Sequence, residues 1–171
     1  FILKTNTKSL LRLTQKKLSD GTAKNPISVV VESENQGGFQ TKILIRGHEI
    51  LSDQPHGFNG QNKGPKPSEL VLAALAACQE TTYRIFAEDM GIEIGKISVE
   101  LIGTQDLKGF MALDENIPAG FSNIEGKVSV QSNASDSDLN ILRKKVDKHC
   151  PILDDLRRPV EVNLTVEKLT S

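Results

Sequence analysis

The longest unbroken apolar run in the chain is Leu70-Val71-Leu72-Ala73-Ala74-Leu75-Ala76-Ala77-Cys78. It is far short of the about 20 residues that cross a bilayer, so it reads as part of a core. Alanine and leucine are strong helix formers. Pro67 and Glu69 suit a first helical turn, and Gly91 suits a stop. Together they predict one helix from Pro67 to Met90. Its first half is apolar all round instead of along one stripe, which calls for cover on several faces. Ala73, Ala74, Ala76 and Ala77 leave room for another backbone to come close. Cys78 lies inside this element, which reads as the most buried helix of the chain.

Elsewhere the pattern alternates. Ile27 to Glu32 reads as a strand, Gln36-Gly37-Gly38 as a turn and Thr41 to Arg46 as the antiparallel partner. After a second turn at Gly47-His48-Glu49, Ile50-Leu51 continues the meander. Lys96 to Ile102 places Ile97, Val99 and Leu101 on one face, and Ile124 to Gln131 alternates through Val128 and Val130. Pro159 to Glu167 reads as a last strand, with Val160, Val162, Leu164 and Val166 on one side. Leu139, Leu142, Val146 and His149 have helical spacing, with Ser135 as N-cap and Cys150-Pro151 as the end. Asp53 to Lys66 and Thr104 to Gly120 read as long loops, which in compact chains are usually functional or mobile. Leu10, Leu11, Leu13 and Leu18 fit an amphipathic helix before the break at Asn25-Pro26. The predicted organisation is a helical extension over 1–24 and one domain over 25–171.

This order predicts an α+β fold with a mostly antiparallel sheet, a long central helix carrying Cys78 and a second helix ending at Cys150. A single six-stranded sheet covers only one side of the long helix. The remaining surface is therefore expected to be buried against a second copy, in an obligate homodimer.

Charge and composition narrow the function. A net charge of −1 recruits neither nucleic acid nor an anionic membrane. Aromatics at 4% with no Trp leave little to stack on bases or sugars. Two cysteines without a CxxC exclude a disulfide scaffold and fit a reducing, cytoplasmic compartment. Lys4, Lys8, Arg12, Lys16 and Lys17, with no acid before Asp20, also fit the remnant of an organellar transit peptide. His48 and His56 stand in loops without a third ligand at useful spacing, so no metal or other cofactor is expected.

The residue pattern leaves the cysteines open between two small buried hydrophobes and reactive thiols. Neither sits at a helix N-terminus. An activating cation has to come from Arg46, Arg84, Arg157 or Arg158, and Arg84 points away from Cys78. His149 is next to Cys150 in sequence but does not face it. Glu69 reads either as a carboxylate on the helix dipole or as a catalytic group, and Glu80 as solvated or paired with Arg84 at i+4. Phe58, Phe110, Met111 and Phe121 read as loop anchors or as the walls of an apolar funnel.

Gly64-Pro65-Lys66-Pro67-Ser68-Glu69-Leu70 running into Ala73-Ala74-Leu75-Ala76-Ala77-Cys78 resembles the central-helix signature of the OsmC/Ohr family, the osmotically inducible and organic-hydroperoxide-resistance proteins. Cys150-Pro151-Ile152-Leu153-Asp154-Asp155-Leu156-Arg157 resembles its second cysteine motif. Asp53 to Gly60 is similar to the loop before the helix, and Asp106-Leu107-Lys108-Gly109-Phe110 to Gly120-Phe121 to a loop of one OsmC-like subgroup. The likeness spans about Pro26 to Lys168.

The resemblance implies an intertwined homodimer with the long helices at its centre and active sites at the interface. It also implies a peroxidase in which Cys78 attacks the peroxide and the resulting sulfenic acid condenses with Cys150, a dithiol then reducing the disulfide. With the roles it gives Cys78 and Cys150, the candidate site residues are Cys78, Cys150 and Glu69 for chemistry, and Phe58, Gln61, Phe110 and Met111 for an organic hydroperoxide. The chain departs from the family pattern at two places. Ser68 stands ten residues before Cys78, where a glutamate is expected, and Gln61 stands near the place of a loop arginine. A non-catalytic protein holding an apolar ligand at the dimer interface, and a redox sensor built on the same cysteines, are the alternative functions.

Overall fold

The computed structural model describes residues 7–169. Lys4 and the first residues of the transit-peptide reading lie outside them. Helix α1 (Thr7–Ser19) precedes three strands, β1 (Glu32–Gly37), β2 (Gln40–Ile45) and β3 (His48–Ser52). The long helix α2 (Pro67–Met90) follows, then β4 (Ile97–Gln105), a single turn α3 (Leu107–Phe110), β5 (Phe121–Val130), α4 (Asp136–His149) and α5 (Pro151–Arg157).

Strands β1 to β3 form an antiparallel meander, with Ile43 opposite Ile50. Its second turn is Arg46-Gly47, both at positive φ (49° and 83°), the backbone that two-residue hairpins favour. Strands β4 and β5 form a separate two-stranded ribbon, with Ile97 opposite Val130 and Val99 opposite Val128.

Helix α2 begins where the Glu69 carboxylate accepts the Lys66 N–H at 3.0 Å. It ends at Gly91, whose φ of 74° suits glycine and whose N–H reaches the Ala87 and Glu88 carbonyls. Leu75, Gln79, Thr82, Tyr83 and Ala87 are its buried residues, a stripe at helical spacing on one face. Against that stripe pack Leu142 and Val146 of α4 and Ile97 of β4, with Phe86, Met90, Val128, Val130 and Leu139 around them. The i, i+4 apolar spacing of α4 thus builds the core, and Asp136 and Asp138 sit favourably in its first turn.

Three expectations are corrected. First, the described residues form no single six-stranded sheet. Ile27 to Val31 and 159–168 make no ladder among them, and their apolar side chains face outward (Val29 72% exposed, Leu164 89%). Alternation marks residues that fit one side of a sheet, but it does not supply an edge to pair with. Second, α2 is not buried all round: Ala73, Ala74 and Ala77 are exposed, because no element among the described residues crosses them. Third, the segment after Cys150 is a helix, and the second long loop carries α3, whose N-cap Asp106 accepts the Lys108 N–H at 2.9 Å.

Candidate functional site

The two cysteines meet. Cys150 is fully buried and Cys78 half-buried, and the Cys150 thiol donates to the Cys78 sulfur at 3.1 Å. Sequence features far from both produce this meeting. Leu142 and Val146 seat α4 on α2, which carries the end of α4 to the level of Cys78. Pro151 has no N–H to continue that helix but fits the first turn of the next. Cys150 therefore sits at a corner, in extended backbone, its N–H held by the Val146 carbonyl and its own carbonyl accepting the Asp154 N–H. A disulfide has its sulfurs about 2.05 Å apart, so closing the gap takes a movement of about 1 Å.

Burial, together with the neighbouring Cys78 sulfur, pushes the Cys150 thiol above its ordinary range. The Leu153 amide and the Thr82 hydroxyl act the other way. Thr82, one helical turn beyond Cys78, also donates its hydroxyl to the Cys78 carbonyl at 2.7 Å.

The loop before α2 is strapped to the end of β3 by Asp53, which is 1% exposed. Its carboxylate accepts the amides of Gln54 (2.8 Å), Gln61 (3.1 Å) and Lys63 (3.1 Å). Burial opposes the charge, but those amides and the Gln40 side chain outweigh it and hold the carboxyl below its usual range. Ser52 completes the strap by donating to the Pro65 carbonyl at 2.9 Å. Sequence reasoning missed Asp53. The available signal was a carboxylate opening a Gly- and Asn-rich loop whose backbone amides need acceptors.

Phe58 of this loop and Phe110 of α3 share the wall of a cavity of about 220 Å³, with Gln54, Lys66, Ser68 and Leu107. Met111 and Gln61 are exposed and do not line it, and neither does either cysteine. Glu69 is exposed at the start of α2. Nine residues of helix separate it from Cys78, about 13 Å along the axis. Within one chain, then, the thiols form one group and the aromatic cavity another.

The cations are also accounted for. Arg84 does not pair with Glu80; its guanidinium donates to the Gly95 carbonyl at 2.9 Å, because the chain turning into β4 brings that acceptor closer. Arg158 pairs with Asp154 at 2.8 Å, and Arg46 is exposed in the β2–β3 turn. Arg157 lines a groove of about 710 Å³ that runs past Leu75 and Gln79, the residues flanking Cys78 on the buried side. The His149 ring packs on Phe86, with centroids 5.4 Å apart. Among the described residues no three His, Cys, Asp or Glu side chains converge as metal ligands.

Comparison with known proteins places this geometry. A search among curated sequences returned no match. Solved structures share the fold at low identity. An OsmC-like protein from Mycoplasma pneumoniae is 20% identical with a TM-score of 0.68, covering 77% of this chain and 89% of that one. The organic hydroperoxide resistance protein OhrB of Bacillus subtilis is 20% identical with a TM-score of 0.54, covering 82% and 98%. A structure from Legionella pneumophila, described as an organic hydroperoxide resistance protein OsmC and predicted redox protein, is 17% identical with a TM-score of 0.58, covering 78% and 92%. The α+β architecture is therefore that of OsmC/Ohr proteins. The family model for OsmC-like protein matches residues 60–165, more than half of the chain and both cysteines, and the chain belongs to that family.

Proposed function

We propose that this protein is a thiol peroxidase that reduces organic hydroperoxides, with Cys78 as the attacking and Cys150 as the resolving cysteine. The observation that carries this reading is the 3.1 Å approach of two thiols of unequal exposure. Cys78 is open enough for a peroxide to reach its sulfur, and Cys150 is shielded from direct oxidation. The Cys78 thiolate attacks the peroxide O–O bond, forming a sulfenic acid and releasing the alcohol once the alkoxide takes a proton. Cys150 then displaces hydroxide to give the disulfide and water, and a dithiol returns two electrons and two protons. The disulfide resists access from the Cys150 side, so the reductant enters at Cys78. A reducing, cytoplasmic setting keeps the pair ready.

The acting species in this proposal is a homodimer. Support comes from the bare Ala73, Ala74 and Ala77 stripe and from two apolar segments without a ladder, Ile27 to Val31 and 159–168. Small residues let helices approach closely. Two α2 helices crossing antiparallel near Ala73 and Ala74 set Cys78 of one copy beside Glu69, Phe58 and Phe110 of the other. That arrangement unites the two groups that one chain keeps apart. It gives the hydroperoxide's alkyl part an apolar wall.

The test is intact mass after one equivalent of cumene hydroperoxide, followed by turnover with a supplied dithiol. The expected result is loss of two hydrogens, and loss of hydroperoxide consumption in Cys78→Ser. Unchanged consumption in Cys78→Ser overturns the reading.

A further inference from the structure

We propose that Thr82 assists the resolving step, its hydroxyl turning from the Cys78 carbonyl to the Cys150 sulfur as that sulfur gives up its proton. This rests on the peroxidase reading and adds a residue to it.

The hydroxyl is a spare donor. In an α-helix the Cys78 carbonyl already receives the Thr82 N–H, so the 2.7 Å bond from the Thr82 Oγ1 is a second bond to the same oxygen. Moving it away strands nothing. A threonine hydroxyl turns about one bond and offers one proton in whichever direction suits its neighbours. Thr82 is buried (6% exposed) one helical turn beyond Cys78, whose sulfur lies 3.1 Å from that of Cys150, and its hydroxyl is among the groups that hold the Cys150 thiol down against burial.

The need for a donor follows from where Cys150 sits. While both sulfurs are reduced, its proton is directed to the Cys78 sulfur. Once Cys78 is a sulfenic acid, Cys150 must become a thiolate to attack it, in a place water does not reach. A buried anion without hydrogen-bond donors is strongly disfavoured. The donors that lower its pKa are the Leu153 amide, in the first turn of α5, and the Thr82 hydroxyl. Only the second can be removed without rebuilding the backbone. The step balances: the S–O bond of the sulfenic acid breaks, the S–S bond forms, and the proton from Cys150 leaves with the hydroxide as water.

The experiment is a quenched reaction of the full chain with one equivalent of cumene hydroperoxide, dimedone trapping the sulfenic acid and intact mass reading both products over time. In Thr82→Val, which keeps the shape and removes the hydroxyl, the sulfenic acid is expected to persist about tenfold longer before the disulfide forms, the effect of losing a hydrogen bond to a charged group. Thr82→Ser is expected to restore the natural lifetime. Should Thr82→Val not fold, Thr82→Ala makes the same comparison with Thr82→Ser. An unchanged lifetime in the hydroxyl-free variant overturns the proposal. So does a Thr82→Ser protein as slow as that variant, because the lost methyl group and not the hydroxyl is then responsible. If the natural protein forms neither sulfenic acid nor disulfide, the peroxidase reading falls first and this one with it.

Discussion

The two halves of α2 meet different fates. From Gln79 onward the helix is covered by its own chain: Tyr83 and Ala87 are 4% and 2% exposed, and Leu142 and Val146, which pack on it, are fully buried. The half before Cys78 is the more apolar in sequence, yet Ala73, Ala74 and Ala77 are bare. Apolar area gains about 25 cal/mol per Å² when it leaves water. The difference therefore lies in connectivity, not in the demand for cover. Helix α4 and β4 cover the second half of α2, whereas in the first half Leu75 is buried and the Ala73, Ala74 and Ala77 face is left open by the described residues. Cys78 stands on the border. One side of it meets Cys150 in the packed half, and the other opens toward the bare stripe.

The largest way to break this contrast is in the packed half. Leu142→Ala removes a fully buried side chain from the contact between α2 and α4, and a loss of about 2–5 kcal/mol of stability is expected. Urea unfolding followed by circular dichroism measures it. A change below about 0.5 kcal/mol, the range of ordinary surface substitutions, means that α4 does not anchor the core. The complementary change is Ala74→Arg in the bare half. Its side chain meets solvent in one chain, so the helical signal should survive, but two α2 helices can no longer approach. Sedimentation velocity at low micromolar concentration should shift from dimer to monomer. A variant sedimenting like the natural protein would place the interface elsewhere.

How much of this was legible depended on whether the signal was local. The span of α2 was written in Pro67, Glu69 and Gly91, and that of α4 in Ser135 and the Leu142–Val146 spacing, all features within reach of their own backbone. The β4–β5 ribbon was likewise readable from alternation. The strand reading of 159–167 failed because its alternation is real but none of the described strands pairs with it. The turn after Cys150 was read as an ending because Pro151 stops α4, although the same residue starts α5. The 3.1 Å meeting of the thiols was not derivable from residues that far apart; only the motif resemblance suggested that they meet. Asp53 went unnoticed because its importance lies in three backbone amides that a sequence does not display.

The smallest expected effect sharpens the contrast at its border. Cys150, on the packed side, has its thiol raised above the ordinary value of 9.0 by burial first and by the Cys78 sulfur second. Below that pH both folded and unfolded chains keep the proton, and the full stability is present. Above it the unfolded chain loses its proton first and binds fewer than the folded one, so stability falls as pH rises until the folded thiol also ionises. The slope from one such group is at most about 1.4 kcal/mol per pH unit. Tyr83 is raised in the same direction by burial and adds a fall of its own from higher pH. For that reason the comparison has to be made against Cys150→Ser, which retains Tyr83 and removes only the thiol. Urea midpoints of both reduced proteins, taken from pH 8 to 10, should separate, with the natural protein falling more steeply. Parallel curves would mean that Cys150 titrates freely and that the packed half of the molecule does not shield its thiol.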